Sequence, residues 1–432
     1  MPQTSPRSLA LAVTALALVF GLSLLAAPRL VAAPPETPGK YMGTSQCTKC
    51  HEKGMGGRAA DALPALKEFP IWEKQDRHAF AFRRLQDKKA PNPRWRSKVT
   101  SEEIMEALAG EGDDDDDAEV AEASKSARCL SCHGVMVARL GKPAWLPKGS
   151  ERRVSENRAL QQGYKASEGV SCDGCHGPAS GWLEGHTPEH WAPKEWKARV
   201  DPKDPGAASQ KLWEEKGLYY SKDLVLWARQ CVRCHLSLDA ELIEAKHPPL
   251  KPFELFDQNS RVPAHWRDYS KASDAPELPG AGPTHDARLW QVGQAVALED
   301  ALKQVQARTR KKKGKKRKVS KKLVSAGIAR AESHYVVLRH ALALQPTLAE
   351  GATALAGAME ALGKAKQAKE QYSAAKKALA ALEAMPYALA SLKVDAAMVA
   401  KIMASISADP AAQKGEPGEI AKLSLVPLGK AK

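Results

Sequence analysis

The register of apolar positions changes three times along this chain. Leu9 to Ala27 form an uncharged apolar run behind Arg7, and the small residues Val31-Ala32-Ala33 follow. That order predicts a secretory signal over 1–33. Pro34 directly after the cut, and a run long for a signal, leave an uncleaved membrane anchor as the alternative. From 35 to about 285 the helical periodicity is weak, and Pro, Gly and charge dominate. This stretch predicts long loops, short helices and little apolar core. From Asp286 onward Leu289, Val292, Val296, Leu298, Leu302 and Val305 recur at helical spacing. Beyond Lys322 the chain is Ala-rich and helical. One segment ends before Pro346. The next opens with Thr347 and Glu350, spaced as a capping box. It carries Leu355, Met359, Leu362, Tyr372, Leu379 and Leu382, and stops before Pro386. A third, shorter helix covers Asp395 to Ile406. Short connections favour antiparallel packing, and the tail from Asp409 is expected to fray.

The fold class is therefore mainly α with long loops. The boundaries read as 1–33 signal, 35–305 first domain with an acidic insertion near 111–119, 308–322 basic linker, 323–406 Ala-rich α-helical C-terminal domain, and 407–432 flexible tail. The acidic insertion holds Asp113 to Asp117 and reads as a solvated segment before it reads as a docking site. All ten Trp, from Trp72 to Trp290, lie in the first of these domains.

The cysteines give that core-poor stretch its chemistry. All eight sit in four copies of Cys-x-x-Cys-His: Cys47, Cys50 and His51; Cys129, Cys132 and His133; Cys172, Cys175 and His176; Cys231, Cys234 and His235. This is the attachment pattern of c-type haem. Two thiols form thioethers with the porphyrin vinyl groups, and the adjacent His reaches the iron. Zinc ribbons share the Cys pairs but do not require a His after each one. Disulfides across a two-residue gap, repeated four times, would staple almost nothing. Twelve His in 432 residues make four such placements by chance negligible. The expectation is a domain cored by four covalent haem c groups, whose flat apolar faces replace a side-chain core. Haem c is attached outside the bacterial cytoplasm, so a periplasmic location agrees with the N-terminal signal.

The formal charge of +15, from 65 Lys and Arg against 50 Asp and Glu, would ordinarily suggest an anionic partner. Four haems would bring up to eight propionate charges and offset part of it. Nucleic acid is an improbable partner for an exported haem protein. The basic run from Arg308 to Lys318 reads first as a solvated linker. Its alternative is contact with a membrane surface or an acidic redox partner. His334 and His340, in the Ala-rich part, read as structural rather than ligating.

Outside the motifs, the first domain holds His78, His186, His190, His247 and His265, with His285 at its edge. Several short elements around them carry a resemblance. They are Tyr41-Met42-Gly43, Asp76-Arg77-His78-Ala79 with Leu85, Gly169-Val170-Ser171, Gly177-Pro178-Ala179, Trp182-Leu183 with His186, His247-Pro248, Phe253 and His265-Trp266. From Tyr41 to Trp266 the chain resembles the multihaem cytochromes of the cytochrome c-554 type. The resemblance implies closely spaced haems, three with two His ligands and the second open at its sixth position. Carried over, the distal ligands are His78, His186 and His247, with His190 and His265 in reserve. The acidic insertion, the basic run and the Ala-rich helices are additions that this family does not need.

Two function classes remain. In the first, the chain is an electron carrier, passing electrons between redox partner proteins, and not an enzyme. In the second, a five-coordinate haem acts on a small nitrogen compound. Related reductases often mark the catalytic haem with Lys in place of the motif His, and all four motifs here end in His. The carrier is the expected function.

Overall fold

A computed structural model describes residues 40–52, 68–86, 100–109, 122–135, 165–183, 217–219, 223–236, 238, 240–247, 254–259, 261–263, 283–310, 320–392, 394 and 396–413. The expected signal, the acidic run, most of the basic run and the last nineteen residues lie outside them. Helices account for 78 % of the described residues, and no strand occurs among these, so the chain is mainly α. No described helix is long and apolar enough to cross a membrane.

Short helices come first: α1 (Thr44–His51), α2 (Glu68–Gln75), α3 (Ser101–Ala109), α4 (Ala127–His133) and α5 (Cys172–His176). A nine-residue 3-10 segment, Arg77–Leu85, lies between α2 and α3. Then come α6 (Leu224–His235), α7 (Ala240–Glu244), α8 (Leu255–Asn259) and the long α9 (Pro283–Thr309). The chain continues in α10 (Lys321–Leu342), α11 (Ala349–Lys364), α12 (Ala368–Leu382), α13 (Met385–Ser391) and α14 (Ala396–Ala408).

One large core holds the second half together. α9 packs on α10, α12, α13, α6 and α8. Every residue from Gln291 to Leu298 is buried, as expected of a helix surrounded on all sides rather than an amphipathic surface helix. At Gly293 an added Cβ would come within 2.8 Å of Leu255, so the small residue sets how closely α8 approaches. The same core includes Leu224, Val225, Ala228 and Val232 of α6, the helix that bears the fourth cysteine motif. The segments before and after the basic run therefore share one interior. Arg229 of α6 reinforces the joint: it pairs with Glu299 of α9 at 3.2 Å, and Lys303 pairs with the same carboxylate.

Among the described residues the first half has no comparable core. The buried apolar side chains described there form small groups. Phe82, Leu85, Met105, Ala123 and Leu130 make one, Ile104, Leu238, Leu242 and Ala245 a second, and Tyr41 with Val135 a third.

Local chemistry moves some expected boundaries. The helix expected from Thr347 to Pro386 is split at residues 365–367. Gln367 is extended and caps α12 in a reciprocal box with Glu370. The Glu370 carboxylate accepts from the Lys366 and Gln367 amides, both at 3.1 Å. Conversely, no box forms at Thr347. Pro346–Leu348 is a 3-10 turn running into α11, and Leu348 offers no side-chain cap. The helix does stop before Pro386, at Leu382, and Pro386 then sits in the first turn of α13, where an amide hydrogen has no intrahelical acceptor to lose. The chain also stays docked past Asp409, whose carboxylate pairs with Arg339 and with His340 at 2.9 Å, while Ala412 is fully buried.

His334 is 1 % exposed. Gln294 donates its amide nitrogen to Glu254 at 3.2 Å. Its oxygen must then accept from His334 Nδ1, 2.9 Å away. Burial pushes this imidazole down to about 3, and the charge of Arg330 adds to the effect. In the unfolded chain the same ring titrates near its ordinary value. Below about pH 6.5 the unfolded state therefore takes up a proton that the folded state refuses until about pH 3. Stability contributed by neutral His334 is present above that window and is lost as pH falls through it. Denaturant titrations at pH 7, 6, 5 and 4 should show wild type losing up to about 1.4 kcal/mol per pH unit more than His334→Gln. Parallel pH profiles would refute the assignment.

Candidate functional site

All four Cys-x-x-Cys-His motifs end helices, closing α1, α4, α5 and α6 at His51, His133, His176 and His235. Helical spacing puts the first Cys, second Cys and His of each motif at i, i+3 and i+4, on one face. Each motif thus presents two sulfurs and an imidazole together.

Tertiary packing then gathers the motifs. The thiols of Cys47 and Cys172 are close enough to perturb one another, bringing the first motif to the third. Those of Cys132 and Cys234 do the same, bringing the second to the fourth. Cys234 Sγ also lies 3.7 Å from the Ser131 carbonyl oxygen. Cys175 is close enough to Cys231 and Cys234 for their charges to interact. These contacts link the first motif to the third, the third to the fourth and the fourth to the second, and Val135, just after the second motif, lies against Gly174 of the third, so the four form one cluster. Burial pushes the Cys175 thiol up to about 12 and the Cys231 thiol up as well. Cys234 is held down, by its bond from Cys132 and then by the adjacent Arg233 cation. None of the eight cysteines is paired in a disulfide, and Cys50 alone is exposed.

Backbone contacts lock this arrangement. Asp173, inside the third motif, is 1 % exposed. Its Oδ2 accepts from the amides of Met42 and Gly43 at 2.6 and 2.9 Å. Glu168 accepts from the Thr44 amide at 2.8 Å, so the approach to the third motif caps the helix of the first. Desolvation raises Asp173 to about 7 despite its amide donors. Gly169 has φ 67, and a Cβ there would lie 2.5 Å from the His78 carbonyl oxygen. The next residue, Val170, donates its amide to that oxygen at 3.0 Å. Trp72 Nε1 donates to the Val170 carbonyl at 3.1 Å.

Three imidazoles are oriented through Nδ1. His51 Nδ1 contacts Glu68 at 2.9 Å, His78 Nδ1 contacts Asp76 at 2.8 Å, and His133 Nδ1 contacts the Ala81 carbonyl at 2.9 Å. A carbonyl oxygen can only accept, so His133 carries its proton on Nδ1, and the carboxylates favour the same tautomer in the other two. This tautomer presents the Nε2 lone pair to a metal. The His78 and His235 rings meet edge-on, with centroids 6.1 Å apart and planes at 89°. Two metal–imidazole bonds of about 2 Å each, plus half a ring on either side, span about 6 Å. The two imidazoles would thus be spaced to hold one iron jointly. Burial lowers His235 to about 4, and the charge of His78 adds to it. Burial opposes protonation of His78 too, but its bond to Asp76 raises it on balance. The donor set, its tautomers and the sparse side-chain core around it all fit haem c.

Among the sequence candidates, the eight Cys, the four motif His and His78 come together. His247 lies in the turn after α7, and its charge reaches His133. His186, His190 and His265, and the side chain of His285, lie outside the described residues. No group of three or more His, Cys, Asp or Glu suited to a bare metal ion occurs among the described residues. The supporting residues Glu68, Asp76, Glu168, Gly169 and Asp173 were not singled out as functional in the sequence. Asp76, two positions before His78, and Asp173, within a motif, are the two whose placement could have marked them. No protein-family model, curated protein or solved structure matches the chain.

Gly169→Ala should destabilise the protein by about 1–3 kcal/mol, through a left-handed φ and the contact with the His78 carbonyl. It should also move His78 relative to His235. Chemical denaturation and the visible spectrum of the purified protein read both effects, and unchanged values in both would show that this clasp does not position His78.

Proposed function

We propose that the chain is an exported, periplasmic tetrahaem c-type cytochrome that passes electrons between redox partner proteins. The observation that carries this reading is the convergence of four Cys-x-x-Cys-His helices, with the His78 ring meeting His235 edge-on at 6.1 Å. Covalently held haem supplies an iron that gains and loses one electron. The residues of the chain do the remainder. The cysteine pairs tether, and His51, His133, His176 and His235 are the proximal ligands. Glu68 fixes the imidazole of His51, Asp76 fixes that of His78, the second ligand at the fourth motif, and each carboxylate makes its imidazole a more basic donor. The contacts between motifs would keep the four irons in one connected cluster. The exposure of Cys50 favours the first motif as an exchange point with a partner.

The mass of the mature protein should exceed its polypeptide by four haem masses. Low-temperature electron paramagnetic resonance of the oxidised protein should show low-spin iron. His78→Ala should convert one haem to high-spin, because the fourth-motif iron would lose its second imidazole. A colourless product, or thiols that are free or bound to zinc, would overturn the reading.

A further inference from the structure

We infer that the shared end of α9 and α10 is the docking surface for a redox partner with an acidic face, and that electrons cross there to the side of the cluster holding the fourth and second motifs. The inference deepens the electron-carrier reading above and rests on it.

The first support is the charge at this end of the helix pair. α9 and α10 pack along one another. Arg308 Nη1 donates to the Leu323 carbonyl at 2.8 Å and fastens the last turn of α9 to the first turn of α10. Arg310, Lys321 and Lys322 stand exposed around that fastening, and none of the three is in an ion pair with a described residue. The sequence between them is mostly Lys and Arg. Lys321 and Lys322 open α10, where the helix dipole disfavours cations, and that turn holds no acid. The first turns of α3, α11 and α12 each hold one or more Glu instead. The stability of α10 therefore does not account for its two lysines. An acidic surface laid against them would offset both the dipole and their mutual repulsion.

The second support is where this end is attached. Gln304 Nε2 and Arg330 Nη1 both donate to the Leu236 carbonyl, at 2.7 and 3.4 Å. Arg308 Nη2 donates to the Leu238 carbonyl at 3.3 Å. Leu236 directly follows His235, so the cationic end is tied to the chain as it leaves the fourth motif. Leu238 packs with Ile104 of α3. The next residue, Met105, packs with Leu130, and its Sδ lies 3.8 Å from Cys129 Sγ. The second motif is thus reached through the same contact. Electron transfer weakens steeply with distance, so a docked redox protein gains from this placement, whereas an anionic lipid surface gains nothing from it. Opposite charge also steers two proteins together and raises the rate of encounter.

The test uses the full mature holoprotein, first shown to carry four haem masses. Failure at that step removes the underlying reading, whereas failure of the later steps removes this inference alone. The probe is a reduced flavodoxin of strongly acidic surface, at about 0.01 M salt, where charges act over about 30 Å. Its rate of haem reduction should fall as salt rises. Reversing the patch with Arg310→Glu, Lys321→Glu and Lys322→Glu together should lower that rate about tenfold. Reduction by the neutral semiquinone of lumiflavin, which needs no docking, should be the same in both proteins. Carbodiimide should cross-link flavodoxin carboxylates to Lys321 and Lys322. The same change of charge on α12, with Lys369→Glu, Lys376→Glu and Lys377→Glu, should leave most of the flavodoxin rate. If the reversed protein does not mature, Ala at the same three positions should give a smaller loss in the same direction. An equal loss in the α12 variant, or cross-links confined to other lysines, overturns the inference. So does an unchanged flavodoxin rate in a patch variant that no longer binds phosphatidylserine vesicles, which would assign the patch to a membrane.

Discussion

The arrangement depends on α6 serving the large helical core and the motif cluster at once. Val225, Ala228 and Val232 enter the core, and Cys231 packs against it. The last turn, with Cys234 and His235, reaches the remaining motifs. Asp223 starts the helix firmly by accepting from the Val225 and Leu226 amides at 2.9 and 3.0 Å. Arg229 and Glu299 then fix its rotation against α9. An exposed ion pair would contribute little, but here both partners are largely removed from solvent and the orientation of one decides that of the other. The C-terminal helices, which look dispensable to an electron carrier, are the anvil on which the fourth motif is held.

From that fixed point the first half is assembled by polar contacts more than by apolar burial. Asp173 and Glu168 cap the helix of the first motif from the loop of the third. The carbonyl of Ala81 and the carboxylates of Asp76 and Glu68 orient imidazoles. Such contacts are directional but weak in net terms, about 1 kcal/mol each. Among the described residues, the small groups around Phe82, Ile104 and Tyr41 offer little apolar burial against the conformational entropy of ordering the short helices. Under the haem reading, the porphyrins close this gap, and the polar contacts determine where each one sits.

How much was legible in the sequence follows from the range of the interactions. The cysteine motifs are local, and so are the apolar positions of α9 and α11, so both could be read directly. The split before α12 was missed because Gln367 and Glu370 form their box in an Ala-rich context where helix propensity alone predicts continuation. The docked end at Asp409 depends on Arg339 and His340, some seventy positions earlier, which no local pattern reveals. The pairing of His78 with His235 is of the same kind: the histidines were visible as candidates, but their partners are set by three-dimensional packing. The shared core of α6 with the helices beyond the basic run was hidden for a further reason. A change in composition suggested a change of domain, whereas the apolar faces on either side continue into each other.

The partners of the imidazoles also differ in charge, and this bears on how a four-iron path would run. His51 and His78 each face a carboxylate, whereas His133 faces a neutral carbonyl. A carboxylate at Nδ1 strengthens the imidazole as a donor and favours the more positive, oxidised iron. A carbonyl does so less. With iron bound, this contrast lowers the potentials at the first and fourth motifs relative to the second. Arg233 lies inside the fourth motif, and its charge also acts on Cys132 and Cys175 of the second and third motifs, so it would favour the reduced state across the centre of the cluster rather than at one end. The Nδ1 partners are what would distinguish the second motif from the first and fourth. Under the haem reading, an electron admitted at the first motif, where Cys50 is exposed, would be drawn toward the second by hydrogen-bond partners rather than by ligand type.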